Sequence, residues 1–144
     1  MYEPVEEEID MQRSILGEER EPFLIRFYFN YKSTLYGFVA NGETGFTQFG
    51  LDIIAAGVSA LIINTIHSLN HLTKDDVQAE MQRNYSKCIL PDLQMKNRGS
   101  IEAITLLKSL EIGLQSIQNT YGDTHITIEK IYENQKSGLF KVFK

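Results

Sequence analysis

The sequence of 144 residues lacks tryptophan, has a single cysteine and contains no basic segment. The one cysteine, Cys88, excludes an internal disulfide and a cysteine-rich zinc site. The longest apolar run, residues 53–63, contains Gly57 and Ser59 and is shorter than a membrane-spanning helix. The first residues are acidic, which argues against a secretory or mitochondrial presequence. We therefore expect a soluble, cytoplasmic protein without a membrane segment, cofactor or metal.

The negative charge is concentrated at the N-terminus. The first 21 residues contain eight acids and two bases, a net charge of −6, whereas the other 123 residues have a net charge of +1. A nearly neutral body offers no basic face for direct binding of nucleic acid. Residues 1–21 are therefore interpreted as an acidic extension. It is either a loosely attached arm or a segment that covers the fold's own site or recruits a basic partner.

Hydrophobic periodicity predicts five strands and two helices. Alternation of apolar and polar residues indicates strands, and apolar residues at intervals of three and four indicate helices. The predicted strands are residues 23–30, 34–41, 77–85, 86–90 and 126–132, and the predicted helices are residues 52–70 and 101–121. Ser100 suits the N-cap of the second helix, and Gly122 suits a left-handed C-cap. Residues 91–99 are interpreted as a polar loop.

This order predicts one domain, residues 22–133, followed by a C-terminal tail at residues 134–144. The fold class is α+β: a small mixed sheet of about five strands with two helices packed on it, in the order β-β-α-β-β-α-β. The first helix is apolar on nearly every face, so we expect it to be deeply buried.

A glycine-rich loop leads directly into the first helix. Gly42, Gly45 and Gly50 allow backbone conformations that other residues avoid, and the loop delivers its residues to the start of a helix. Helix starts commonly hold anions and nucleophiles, because their first amides are unpaired and the helix dipole is positive there. This stretch, residues 42–59, is therefore the candidate functional site.

A histidine pair and the single cysteine are two further candidates for a metal site or a nucleophile. His67 and His71 share one helix face and could bind a metal, but no third ligand is evident, and polar surface residues are the preferred interpretation. Cys88 lies on a predicted strand far along the chain. It is interpreted as a small packed residue rather than a nucleophile.

The string of residues 50–61, Gly-Leu-Asp-Ile-Ile-Ala-Ala-Gly-Val-Ser-Ala-Leu, resembles the ribosomal-processing cysteine protease family Prp, also called YsxB-like. Members carry a similar Gly-x-Asp-Ile-Val-Cys-Ala-Ala-Val-Ser string after a Gly-His-Ala loop start. Residues 107–114, followed by Tyr121, also resemble the family's second helix. The resemblance covers about residues 23–132. It implies a dimer whose activity removes an N-terminal extension from a large-subunit ribosomal protein.

The two catalytic positions of the family are altered in this sequence. The family's histidine corresponds to Glu43 and its cysteine to Ala55. A cysteine protease needs a thiolate generated by a base, and alanine has no nucleophilic atom. A carboxylate pair of Glu43 and Asp52 was also considered, as was Ser59 as a hydroxyl nucleophile, but neither has a complete set of catalytic partners.

The sequence therefore predicts a catalytically inactive homologue that keeps the family's peptide-binding frame. The alternative is an active peptidase of the same family, for example one in which Ala55 is an engineered replacement. The expected partners are a second copy of the chain and either the N-terminal tail of a ribosomal protein or an active family protomer. The candidate peptide-binding residues are Gly42, Glu43, Thr44, Gly45, Asp52, Ala55 and Ser59.

Overall fold

The structure of the chain, a computed structural model, describes residues 23–42, 51–122, 125–133 and 140–143. Within these ranges the strands are β1 (Phe23–Phe29), β2 (Leu35–Asn41), β3 (Gln78–Gln82), β4 (Tyr85–Ile89), β5 (Ile126–Glu133) and β6 (Phe140–Phe143). The helices are α1 (Leu51–Leu72), α2 (Pro91–Lys96) and α3 (Ile101–Tyr121). The predicted extension at residues 1–21 lies outside the described residues.

The six strands form one mixed sheet in the order β3-β4-β2-β1-β5-β6. β1 runs parallel to β5, and every other neighbouring pair is antiparallel. The predicted α+β class with a mixed sheet is confirmed. The sixth strand, β6, lies in the segment predicted as a C-terminal tail and pairs with β5 at the sheet edge.

One face of the sheet carries the core. Alternate residues of β1, from Phe23 to Phe29, are buried, and the residues between them are half-buried. The helices α1 and α3 supply the other half of this core. Its fully or nearly fully buried helix residues are Ile54, Val58, Ile62, Ile66, Leu69, Ala103, Leu107, Leu110 and Leu114.

The two long helices pack antiparallel. A Cβ atom built on Gly113 would lie 3.0 Å from a methyl of Leu61, and one built on Gly57 would lie 3.5 Å from a methyl of Ile117. Increasing numbers in α1 therefore meet decreasing numbers in α3. This arrangement places the start of α1 beside the end of α3.

The prediction that α1 is deeply buried on nearly every face is wrong. Ile53 is 65% exposed and Ile63 is 44% exposed, so one stripe of the helix faces outward. The segment Ile53–Leu72 is long and apolar enough to cross a membrane by length and composition, with a mean hydropathy of 1.5. Core helices pass the same test, and α1 buries its opposite face against α3 and the sheet. Its composition is therefore weak evidence for a membrane segment.

Two local predictions near helix ends differ from the structure, as does one in β2. The predicted loop at residues 91–99 contains helix α2, because Pro91 suits a first helical position and Leu93 is buried as an anchor. Gly122 ends α3 with φ 89° and ψ 158°, which is not the predicted left-handed helical conformation.

In β2, the sequence pattern predicts Leu35, Gly37 and Val39 on one face and Tyr36, Phe38 and Ala40 on the other, and this alternation holds only from Gly37 onward. The pairing with β1 shifts in register, so Leu35 pairs with the core residue Phe29, and Gly37 pairs with Tyr28. Paired residues share a face, which places Leu35 on the core side, opposite to the prediction.

Asn30 closes the end of the β1–β2 hairpin that lies farthest from Gly42. Its side-chain amide donates to the carbonyl of Leu93 (2.7 Å) and to Oδ1 of Asn97 (2.8 Å). Its Oδ1 accepts from the backbone amides of Lys32 (2.8 Å) and Thr34 (3.0 Å). The side chain is 1% exposed and uses its hydrogen-bonding groups fully, so it joins the hairpin turn firmly to α2.

Candidate functional site

A narrow groove lies between the end of β2, the outer side of α1 and the turn that joins β3 to β4. Its volume is about 170 Å³. That is smaller than a typical small-molecule site and suits one or two side chains of a peptide. The residues that line it are Phe23, Ala40, Asn41, Gly42, Val58, Ser59, Ile62, Ile63, Met81, Gln82, Arg83, Asn84, Tyr85 and Ser86.

Gly42 joins two walls of this groove. Its amide donates to the carbonyl of Asn84 in the β3–β4 turn (3.1 Å). A Cβ atom at this position would collide with the ring of Phe23 at the start of β1. A residue without a side chain is therefore needed for the end of β2 to lie under this ring.

The α1 wall contains the position that the resemblance assigns to the catalytic cysteine. Ser59 and Val58 line the groove, and Ala55 lies one turn earlier on the side of Ser59. Ala55 is only 7% exposed and belongs to the hydrophobic core. A methyl group thus packs into the fold at the position where a nucleophilic sulfur would be required.

The structure brings together only some of the predicted site residues. Gly42 and Ser59 line one groove, and Ala55 is beside them. Asp52 lies in the first turn of α1, but its side chain is outside the described residues. Residues 43–45, which include Glu43, Thr44 and Gly45, also lie outside them, as does any pairing of Glu43 with Asp52.

Cys88 is not placed to act as a nucleophile. It is 0% exposed on the core side of β4, opposite Phe38 of β2. Burial raises the pKa of its thiol to about 12, so the sulfur stays protonated at neutral pH. The prediction that Cys88 is a small packed residue is confirmed.

His67 and His71 lie on the exposed side of α1, with ring centroids 6.3 Å apart. In the part of the chain that the structure describes, no group of three His, Cys, Asp or Glu side chains is placed to hold a metal ion. The pair therefore stands as surface residues.

A larger cavity, of about 740 Å³, lies on the face of the sheet opposite α1 and α3, with Gln94 of α2 in its lining. Its charges are largely balanced within the protein. Arg26 forms an ion pair with Glu129 (3.0 Å), and Lys87 lies directly across the strand pair from Glu80. The hydroxyl of Tyr36 accepts a hydrogen bond from Gln94 (3.3 Å). Asn41 and Tyr85 line both this cavity and the groove, whereas Ser59 lines only the groove.

The β3–β4 wall of the groove was missed at the level of sequence. Met81, Arg83 and Asn84 line it, but in the sequence they belong to a weakly predicted hairpin. Their role depends on β4 lying next to β2, whose paired residues are 44 to 52 positions away in the sequence. No local pattern around residues 81–84 indicates that neighbour.

The sequence model of the family described as cysteine protease Prp matches residues 24–127. The chain belongs to the Prp cysteine protease family. The match spans most of β1 to the start of β5 and includes every described lining residue of the groove except Phe23. No curated protein matches the chain.

Solved structures show the same fold as this Prp family member. SMU.848 from Streptococcus mutans has a TM-score of 0.69 and 21% identity, covering 78% of this chain and 97% of its own. The ribosomal processing protease Prp from S. aureus, in complex with a substrate peptide, has a TM-score of 0.64 and 18% identity, covering 75% and 98%. The same S. aureus protease with a covalently linked product peptide has a TM-score of 0.62.

Proposed function

We propose that this Prp family member has no peptidase activity and binds an extended peptide in the groove between Gly42, α1 and the β3–β4 turn. The observation that carries the proposal is the alanine at position 55. Its methyl group is 7% exposed, and the chain's single thiol is buried elsewhere in the sheet. The groove itself remains, with a lining that is apolar toward α1 and polar toward the turn.

The missing activity follows from the chemistry of the two altered positions. Cysteine proteases form a covalent thioester, which needs a thiolate close to a base. Glu43 could accept a proton, but Ala55 has none to give. Ser59 lies in the groove, yet a serine nucleophile needs both a base and a group that orients the base. The described residues around Ser59 include neither a histidine nor a carboxylate.

The proposed ligand is the N-terminal segment of an unprocessed large-subunit ribosomal protein. The support is indirect: the S. aureus relative is a ribosomal processing protease that was solved with a substrate peptide. A member that binds such a segment without cutting it would shield it or present it to an active protomer. Both roles belong in the cytoplasm, where ribosomal proteins are made.

Calorimetric titration of the full chain with the basic N-terminal peptide of that ribosomal protein tests binding. We expect a measurable heat, and about a tenfold weaker affinity for Ser59→Tyr, which fills the groove; this corresponds to about 1.4 kcal/mol. Ser109→Tyr is the matched control, because Ser109 is exposed on α3 outside the groove. Absence of heat, or equal effects of the two variants, would refute the proposal.

A fluorogenic peptide that spans the processing site tests catalysis separately. We expect no cleavage by the native chain and restored cleavage by the double variant Glu43→His, Ala55→Cys. Cleavage by the native chain that is abolished by Glu43→Ala would establish the alternative, an active peptidase. If the double variant binds peptide but remains inactive, the rest of the pocket has diverged as well.

We also propose that two copies of the chain associate through the open face of the sheet. This face presents Tyr28, Tyr85, Arg26, Val39 and Ile89 around the larger cavity. Tyrosine and arginine are enriched in protein interfaces. Sedimentation should show a dimer for the native chain and for Met95→Glu, and a monomer for Val39→Glu. A monomeric native chain would contradict this assignment.

A further inference from the structure

We propose that the acidic segment before β1, residues 1–21, folds back into the groove and competes there with peptide. This inference rests on the proposed peptide groove and assigns its regulation. The first described residue of the body, Phe23, is itself part of the groove wall. The chain therefore enters the fold at the site.

The position of Phe23 is well defined. Its amide donates to the carbonyl of His125 (2.8 Å), its side chain is 8% exposed, and its ring occupies the space beside Gly42. Any residue that precedes it begins at the edge of the groove. A chain advances by at most about 3.5 Å per residue, so a few residues suffice to reach from Phe23 to the far wall. Tethering at this distance gives an effective concentration of the order of millimolar.

The groove presents a surface that matches the segment. Met81 is 46% exposed and Ile63 is 44% exposed, so the groove displays large apolar side chains. Arg83 is the one charged side chain among its described lining residues. A segment of the same chain that suits this surface therefore carries apolar side chains between acidic ones.

The segment has this composition. Four apolar residues, Ile9, Met11, Ile15 and Leu16, lie between acidic runs at residues 6–8 and 18–19. The net charge of −6 opposes the net +1 of the remaining residues. Gly17 follows Leu16 and allows the chain to reverse direction before β1. The charge attraction should weaken with added salt, because exposed charges are screened beyond about 8 Å at physiological ionic strength.

Limited trypsin digestion of the full chain tests the contact without any ribosomal peptide. Arg13 and Arg20 are cleavage sites within the segment. If the segment occupies the groove in nine chains of ten, Met81→Glu should speed cleavage at both sites by about tenfold. The matched control is Met95→Glu, since Met95 is 70% exposed on α2, outside the groove. Equal rates for the native chain and Met81→Glu would overturn the inference. Circular dichroism confirms that each variant is folded.

A second measurement uses a change in the segment and leaves the groove intact. The double variant Ile15→Ser, Leu16→Ser should bind the basic ribosomal peptide about tenfold more tightly than the native chain. Unchanged affinity would overturn the inference, and so would weaker affinity, which would show that the segment recruits the peptide. If no variant binds this peptide, the proposed function fails, while the trypsin result still decides whether the segment occupies the groove.

Discussion

The two ends of the β1–β2 hairpin have opposite characters. At the Asn30 end, one buried amide side chain makes four hydrogen bonds, and Ser100 caps α3 nearby with Asp75 as its partner. At the Gly42 end, the ring of Phe23 covers a residue without a side chain, and a groove remains open between three elements. The first end is closed by polar groups that satisfy one another. The second keeps a surface that other groups can contact.

This difference shows that one small sheet can be closed at one end by hydrogen bonds and left open at the other as a groove. Changes at the Asn30 end should lower the free energy of unfolding, because each lost partner leaves a polar group without a hydrogen bond in the interior. The Gly42 end depends instead on shape, namely the absence of a side chain at one position. Changes at the first end should affect unfolding alone, and changes at the second should affect both unfolding and the shape of the groove.

The largest effect is expected for Asn30→Ala. This change leaves the amides of Lys32 and Thr34 without their acceptor and removes one of the two donors to the carbonyl of Leu93, which still accepts from the amide of Asn97 (3.2 Å). The free energy of unfolding should therefore fall by about 3 kcal/mol. Urea unfolding measures it. Lys32→Ala, at an exposed position of the same turn, should change stability by less than about 0.5 kcal/mol. Equal losses in both variants would mean that the network adds nothing.

Gly42→Ala tests the other end of the hairpin. The added methyl group would collide with the ring of Phe23, so we expect a loss of about 2 kcal/mol from overpacking and a displaced groove wall. Peptide affinity should fall with it. Gly57→Ala is the control. Its methyl group would lie 3.5 Å from Ile117 of α3, an ordinary contact distance, and alanine favours the helical backbone at this position of α1. We therefore expect this change to be neutral or slightly stabilising. A stable Gly42→Ala chain with unchanged affinity contradicts the proposed role of Gly42.

Cys88 pairs with Phe38, between the two ends of the hairpin. We expect its thiol to make the free energy of unfolding depend on pH in the alkaline range. Burial raises the pKa of its thiol from 9.0 to about 12, so the unfolded chain loses this proton before the folded chain does. The stabilising contribution is complete below pH 9 and is lost as pH rises toward 12, by about 1.4 kcal/mol per unit of pH. Urea unfolding of the native chain should show this additional decline. Cys88→Ala, which lacks the thiol, should not show it.

The smallest effect is expected at the start of α3. The hydroxyl of Ser100 accepts from the amide of Ala103 (3.0 Å), so Ser100→Ala should cost about 1 kcal/mol. Burial alone would raise the pKa of Asp75, but hydrogen bonds from Ser100, from Thr73 and from the amide of Asp75 together outweigh burial and lower this pKa. The hydrogen-bonded pair of Asp75 and Ser100 therefore stabilises the fold at neutral pH. This stabilisation is lost as the pH falls through the lowered pKa of Asp75. Ser109→Ala, without a capping role, should leave the acid unfolding profile unchanged.

The main elements of the fold could be predicted because their signals are local. The alternation in β1, the apolar stripe of α3 and the Ser100 cap each lie within a few residues of one another, and all three are present in the structure. Helix α2 and the irregular start of β2 were missed. The first depends on the burial of Leu93 and the second on a register set by β1, so neither is decided by its own neighbours in sequence.

The sequence by itself determined the residues at positions 43 and 55, a glutamate and an alanine, on which the proposal of an inactive family member rests. It also placed Gly42 and Ser59 at one site, since a short loop and a helix join them. Only the tertiary structure decided what the site is made of. The pairing of β4 with β2 brings Met81 and Arg83 to the groove, and the pairing of β1 with β2 brings Phe23 to its edge. These contacts join distant parts of the chain, and such contacts form only when a sheet and its helices bury their common core.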